Sequence, residues 1–157
     1  MRGLSFVIRP CKKEDLNTVH RLSAKYTSFD ATPTLADTEG IYARSPKYFY
    51  VAADSSGEII GFVTGYERKS IPGEVLRTWR AYRVGYVDLM AVASTHRRKG
   101  VGTMLMNTLL GQFRNDRIDM VILDVPAEQL AAVKLYEKLG FHMRAFSMRK
   151  HLKNETF

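Results

Sequence analysis

The sequence predicts a mixed α/β domain, with a mostly antiparallel central sheet and helices on both faces. Three observations carry that reading. Apolar runs with strand character alternate along the chain with runs at helical spacing. Two early runs flank Ser55-Ser56-Gly57, a hairpin signal that gives antiparallel pairing. The runs at 84–92 and 119–125 flank a helical stretch, and strand–helix–strand in that order implies a parallel crossover. At 157 residues, the chain fits a single domain spanning 1–157.

Each element has its own justification. LSFVIRP (4–10) reads as a first strand ended by Pro10. KKEDLNTVHRLSAKY (12–26) puts Leu16, Val19, Leu22 and Tyr26 on one helical face, with Glu14 and Asp15 in the first turn, where the helix dipole favours acids. TPTLADTEGIYARS (32–45) is a second, weaker helix with Pro33 near its start. YFYVAAD (48–54) and EIIGFVTGYE (58–67) form the hairpin. Residues 68–82 make a long basic and aromatic connection, read as a loop or a short helix, and VGYVDLMAV (84–92) is a buried strand. VGTMLMNTLLGQF (101–113) spaces Val101, Met104, Leu105, Leu109 and Phe113 as a helix does. DMVILDV (119–125) is another central strand, and EQLAAVKLYEKLG (128–140) is a helix stopped by Gly140. FHMRAFSMRKHL (141–152) alternates loosely and is expected to add one or two strands.

Composition narrows the function. Hydrophobic residues make up 45% and charged residues 25%, the balance of a soluble globule. The single cysteine, Cys11, excludes an internal disulfide and a cysteine-based zinc cluster, and no metal is expected. No window reaches the roughly 18 apolar residues of a membrane span, and LSFVI is too short for a signal-peptide core. The expectation is a cytoplasmic protein with no membrane partner. The net charge of +8 is spread evenly, +4 over residues 1–83 and +4 over 84–157. A basic field attracts any polyanion. A nucleic-acid-binding module would need a helix-turn-helix, zinc-finger or ribonucleoprotein signature, and none is present.

The chemistry-bearing segment is RRKGVG (97–102), between a strand and a helix. The first turn of a helix leaves backbone N–H groups without partners, and the dipole there carries about half a positive charge. A phosphate satisfies both. Gly100 and Gly102 remove Cβ atoms so that phosphate oxygens can approach, and Arg97, Arg98 and Lys99 add charge around the opening. Taken alone, the hexamer reads equally well as a solvated basic turn with a glycine N-cap. It is neither a Walker loop nor a dinucleotide fingerprint.

Its context resembles a known family. Arg97-x-x-Gly100-x-Gly102 after a strand ending in Val92, followed by AAVKLYEKLGF (131–141), is similar to the paired signatures of the GNAT acyl-CoA N-acyltransferases. The pattern is closest to the members resembling ribosomal-protein alanine N-acetyltransferases. The resemblance covers nearly the whole chain, most strongly 84–141. It implies acetyl-CoA as co-substrate, with its diphosphate on Arg97, Arg98, Lys99, Gly100, Val101, Gly102 and Thr103. It implies a pantetheine arm along Met90, Ala91 and Val92, bound as an extra strand would be. It further implies that the strands at 86–92 and 119–125 splay apart.

The resemblance assigns Tyr136 to protonating the departing thiolate, whereas spacing alone makes it a core aromatic beside Leu135 and Leu139. Gln129 stands where the family often has Asn, one methylene longer. Asp124 matches the position of the glutamate taken as base in the ribosomal-protein alanine acetyltransferases; on its own it reads equally as a residue capping the next helix. Asp88, placed by simple alternation on the face of Tyr86 and Met90, is a second candidate base, because an acid in a buried strand needs a partner or a task. His96 reads as a turn residue. The expected reaction is direct attack of a primary amine within a ternary complex. The amine is a protein N-terminus, on the Asp124 correspondence, or a small molecule. A CoA-binding scaffold without catalysis is a further alternative. Acceptor contacts are expected from 26–45 and 67–83, where interleaved basic and aromatic residues suit an acidic peptide or phosphate-bearing acceptor, or form a solvated loop. The short stretch after Phe141 leaves room for a homodimer that completes the sheet between protomers.

Overall fold

The computed structural model describes residues 5–28 and 30–153. Its elements fall into two units that divide between Pro126 and Ala127. The first unit carries one five-stranded sheet in the order β1-β2-β3-β4-β5: Phe6–Pro10, Phe49–Asp54, Ile59–Glu67, Val84–Val92 and Met120–Leu123. The first four strands are antiparallel, and β4 and β5 are parallel. Four helices accompany them: α1 Leu16–Tyr26, α2 Leu35–Arg44, α3 Gly73–Trp79 and α4 Val101–Asn115. The second unit holds α5, Leu130–Lys138. Leu4, in the expected first strand, lies outside the described residues.

Local chemistry explains the joints. Asp54 closes the β2–β3 hairpin by accepting N–H bonds from Ser56 and Glu58 at 2.9 and 3.0 Å, and Gly57 supplies the required φ of 86°. α2 opens on a capping box, in which Thr34 and Asp37 each accept the other's backbone N–H. Asp15 at the start of α1 is held by a bidentate ion pair to Arg9 at 2.7 and 2.9 Å, with the Lys12 N–H as a third donor. The Arg9 hydrogen bonds hold the Asp15 carboxyl below its usual range.

The two sheet faces are packed differently. On one, Leu16 and Val19 of α1 meet Phe49, Val51, Phe62 and Ala91, with Leu89 partly buried beside them. On the other, α4 lies close to the sheet because glycines leave room for it. A Cβ on Gly65 would come 2.9 Å from Phe113 Cζ and 2.8 Å from the Tyr86 carbonyl, and one on Gly85 would come 3.0 Å from the Phe113 ring. α4 ends in a reversal that returns the chain to the sheet. Arg117 takes a left-handed φ of 61°, and the Ile118 N–H donates to the Phe113 carbonyl at 2.9 Å.

The basic connection after β3 contains the helix α3, the short-helix alternative of the sequence reading. The structure departs from that reading in two places. The last central strand is confined to Met120–Leu123; before its start, Asp119 turns its carboxylate onto the N–H groups of Tyr82 and Arg83 at 2.9–3.1 Å. The strands expected over 141–152 do not form among the described residues. A strand exists through its ladder, and alternation alone supplies none. Met143, Phe146, Met148 and Leu152 are correspondingly exposed.

Gly65→Ala should lower stability by about 1–3 kcal/mol, since neither the Tyr86 carbonyl nor the Phe113 ring can move cheaply. Thermal denaturation would show this as a fall of several degrees. An unchanged midpoint would mean that α4 packs more loosely on the sheet than described.

Candidate active site

The site begins with unequal pairing around β4. On its β3 side β4 is paired along its length, and the Ala93 N–H still donates to Ile60. On its β5 side the ladder runs only from Val84↔Met120 to Val87↔Leu123. Asp119 pins the start of this pair, as described, and past Val87 the strands part. Backbone groups of β4 over 88–92 therefore have no ladder partner on that side among the described residues, the splay that the motif resemblance implied. Met90, Ala91 and Val92 lie on this open edge.

A bulge sits where the strands part. Thr64 faces Leu89 and Gly65 faces Val87, so Asp88 is an extra residue on β4. The bulge reverses the alternation. Gly85 faces Phe113 under α4, yet Leu89, four residues on, packs with the α1 face. Tyr86 and Met90 consequently point to opposite faces. This corrects the expectation that Asp88 shares one face with both, which assumed an unbroken period of two.

Beyond β4 the chain makes one 3₁₀ turn, Ser94–His96, and enters α4. Gly100 adopts a φ of 83°, which an L side chain adopts only with strain, and open space surrounds its absent Cβ. It has no side chain to cap the helix, and the first helical bond runs from Met104 N–H to the Gly100 carbonyl at 3.0 Å. The amides of Val101, Gly102 and Thr103 precede that bond, so they are the unpaired donors of a helix start. Arg98 and Lys99 are exposed beside them. Arg97 also braces the turn: its Nε donates to the Val92 carbonyl at 3.2 Å, and its guanidinium lies 5.0 Å from the Tyr26 ring centroid. Tyr26 in turn bonds the hydroxyl and amide of Ser94 at 3.1 and 3.0 Å, which draws its phenol down to about 8. His96 shares a 2.9 Å hydrogen bond with Thr95 inside the turn.

Two carboxylates stand where β4 and β5 separate. Asp124 lies just past the end of β5, exposed, and its Oδ2 accepts the Tyr86 hydroxyl at 2.7 Å. Burial pushes the Tyr86 phenol well above its ordinary value, and the Asp124 charge adds to this, so Tyr86 stays protonated as the donor. Tyr66 lies against Tyr86 with ring centroids 5.2 Å apart. Asp88 is partly buried at the bulge. Burial raises its carboxyl above the usual range, and the charge of Arg44 opposes that rise. Sequence reasoning missed the part Tyr86 plays. The available signal was a tyrosine inside an apolar strand, whose hydroxyl needs a partner when the ring is covered.

The second unit carries the other two expected residues. Gln129 is the residue before α5, exposed, with only its carbonyl engaged, by the Val133 N–H at 3.0 Å. Tyr136 belongs to a helix stop. Gly140 is left-handed at φ 90°, Phe141 N–H donates to the Tyr136 carbonyl, and Gly140 N–H donates to the Glu137 carbonyl, both at 3.0 Å. This double reversal folds the Phe141 ring edge-on against Tyr136, with centroids 5.9 Å apart. The spacing Tyr-x-x-x-Gly-Phe is thus the spacing of a helix terminus that fixes a tyrosine ring. Burial raises the Tyr136 phenol above its ordinary value.

The family model of the GNAT acetyltransferases matches residues 16–141. An N-alpha-acetyltransferase of Saccharolobus solfataricus is 25% identical over 147 residues, covering 89% of this chain and 82% of that protein. N-alpha-acetyltransferase 30 of Xenopus laevis is 39% identical over 62 residues, 40% of this chain, and the match spans only 23% of that longer relative. Among solved structures, a NatC complex bound to Gag peptide and CoA superposes with a TM-score of 0.78 at 21% identity, covering 94% of this chain and 91% of that one.

The raised carboxyl of Asp88 has a stability consequence with a definite sign. A carboxyl harder to ionise in the folded chain favours the fold while protonated, and this contribution is lost as pH rises through its folded value. Asp88→Asn should therefore raise the urea midpoint at pH 7 and have little effect near pH 3. A midpoint that falls at pH 7 would show that the ionised Asp88 is stabilised by its surroundings.

Proposed function

The chain belongs to the GNAT acetyltransferase family, and from that premise we propose that it transfers the acetyl group of acetyl-CoA to the free amine of a peptide N-terminus, with Asp124 receiving the ammonium proton. The observation that carries this reading is the 2.7 Å Tyr86–Asp124 hydrogen bond at the point where β4 and β5 part. It holds a carboxylate beside an open strand edge that leads to a helix N-terminus.

The residues present suit the co-substrate. The amides of Val101, Gly102 and Thr103 at the start of α4, with Arg98 and Lys99 beside them, match a diphosphate in charge and in hydrogen-bond demand. The open edge over Met90, Ala91 and Val92 suits the amides of a pantetheine arm. Acetyl-CoA supplies an acyl group on a good leaving sulfur. A CoA-bound neighbour of the same fold supports this assignment.

The protein's own groups handle protons and orientation. A peptide N-terminus, with an amine pKa of about 8, is largely protonated at neutral pH and must lose a proton before it attacks. Asp124 takes that proton, directly or through a water, while Tyr86 fixes the carboxylate. Asp88 adds negative charge that attracts the ammonium. As the new N–C bond forms, the C–S bond breaks, and the sulfur leaves as a thiolate that takes up a proton. In the second unit, burial favours the protonated form of Tyr136, the residue to which the motif resemblance assigns that proton. The preference for a peptide N-terminus rests on the N-alpha-acetyltransferase relatives.

Asp124→Asn should lower kcat by about 10²-fold at pH 6.5–7, with recovery as pH passes the acceptor amine's own pKa. A deficit that does not change with pH would remove Asp124 from the role of base. Gly102→Glu places a carboxylate in the first turn of α4, where it suits the helix dipole but repels phosphate. Calorimetry should show CoA affinity at least 10-fold weaker with the melting temperature held or raised. Unchanged affinity would place the diphosphate elsewhere.

A further inference from the structure

A cleft of about 580 Å³ opens at the far end of β3, where β4 begins, and its charge is unbalanced. Four cations line it, Arg44, Lys47, Lys69 and Arg83, against two carboxylates, Glu67 and Asp116. Both carboxylates are already engaged. Glu67 receives Arg83 through two bonds at 2.8 and 2.7 Å. Asp116 receives Lys47 Nζ and the Tyr48 hydroxyl, each at 2.6 Å. Arg44 and Lys69 form no ion pair among the described residues, and both are exposed. The Arg44 Nε–H donates only to the carbonyl of Gly40, in its own helix, at 3.3 Å. The cleft therefore presents two cations outside any ion pair among the described residues, together with the aromatic wall of Tyr66.

One contact ties the cleft to the carboxylates of the proposed reaction: Tyr66 lines the cleft and lies against Tyr86, the residue that holds Asp124. Arg44 also lines the cleft, and its charge opposes the rise of the Asp88 carboxyl. An acceptor whose amine meets Asp124 and whose chain passes over Tyr66 brings its next side chains to Arg44 and Lys69. An extended chain advances about 3.3 Å per residue, so positions 2–4 of an acceptor sample roughly the first 10 Å beyond its amine.

We propose that this cleft seats an aspartate or glutamate side chain from the first few residues of the acceptor, making acidic peptide N-termini the preferred substrate class. Arg44 and Lys69 are the specificity-determining residues. The inference rests on the reading of Asp124 as the amine end of the site. Exposed cations reach a carboxylate with little desolvation, so the preference weakens as salt rises.

The test uses the full chain and a set of free-amine peptides that differ only at positions 2–4: Asp or Glu, their amide isosteres Asn or Gln, and Lys. The acidic peptides should show kcat/KM at least 10-fold above the amide isosteres, with the lysine peptides lowest. In the Arg44→Ser/Lys69→Ser double variant, the acidic-to-amide ratio should fall toward one, and Lys69→Glu should favour the lysine peptides. Equal use of all peptides by the parent, or an unchanged ratio in the double variant, overturns the inference while leaving peptide acetylation intact. Fluorescence anisotropy of the same peptides with CoA present reads the cleft without turnover. Acidic peptides that bind tightly, and lose that binding in the double variant, support the cleft even if none is acetylated. In that case the acetyl-transfer reading fails instead. Binding that ignores peptide charge sinks the cleft.

Discussion

The active end of this molecule depends on one interruption of hydrogen bonding. β4 is fully paired to β3 but paired to β5 for only four residues on each strand. Asp119 fastens the two parallel strands where they begin, and the extra residue Asp88 coincides with the point where they separate. A parallel pair buried on both sides would ordinarily continue, because unpaired backbone groups are costly away from water. Here the ladder stops early and leaves an edge with unmet donors and acceptors. That edge leads, through a turn braced by Arg97 and Tyr26, to a helix start that also has unmet donors. Two adjoining segments of unsatisfied backbone, one strand-like and one helical, match a ligand that has amides in one part and phosphates in another.

The surroundings keep this open geometry from collapsing. Glycines at 65 and 85 let α4 seat against the sheet on one face, while Leu16, Val19 and Phe62 fill the other. The bulge then has two effects. It ends the regular alternation, and it brings an acidic side chain into a partly buried position where its ionisation is disfavoured. The fold tolerates that group at neutral pH because the cluster around Phe49, Val51 and Phe62 supplies apolar burial elsewhere. Local destabilisation of this kind, in a strand otherwise apolar, is expected where a protein needs a reactive group.

Much of this was legible in the sequence, and the exceptions share a cause. β4 has the predicted bounds, and the RRKGVG segment opens a helix. The parallel crossover and the hairpin followed from local periodicity and turn chemistry. The Tyr-x-x-x-Gly-Phe ending was recognisable as a helix stop because its geometry is contained in six residues. What periodicity could not show is register. The bulge at Asp88 depends on how β4 meets β3, and the Tyr86–Asp124 bond joins residues 38 positions apart. The strands expected over 141–152 failed for a related reason: alternation describes a chain that suits a sheet, while forming a strand requires an available edge. The bracing by Arg97 was likewise hidden. As one of three adjacent cations it read as a phosphate ligand, and its aromatic and carbonyl partners come from α1 and β4.

Charge shows the same division between count and placement. A net +8 spread evenly along the chain says nothing about a site, and a polyanion partner was the only reading it allowed. In three dimensions the distribution has a direction. Asp88 and Asp124 both stand where the strands part, while Arg44 and Lys69, which form no ion pair among the described residues, line the neighbouring cleft. A ligand that is cationic at one end and anionic a few ångströms along satisfies both regions at once. A peptide with a free N-terminus followed by an acidic side chain has that polarity, with its ammonium drawn to the carboxylates and its side chain to the cations. A polyamine satisfies the first region and is repelled by the second. Under the proposed reading, the field that would draw an amine toward Asp124 would also orient the chain attached to it, and the basic surplus would then act as a selector among acceptors.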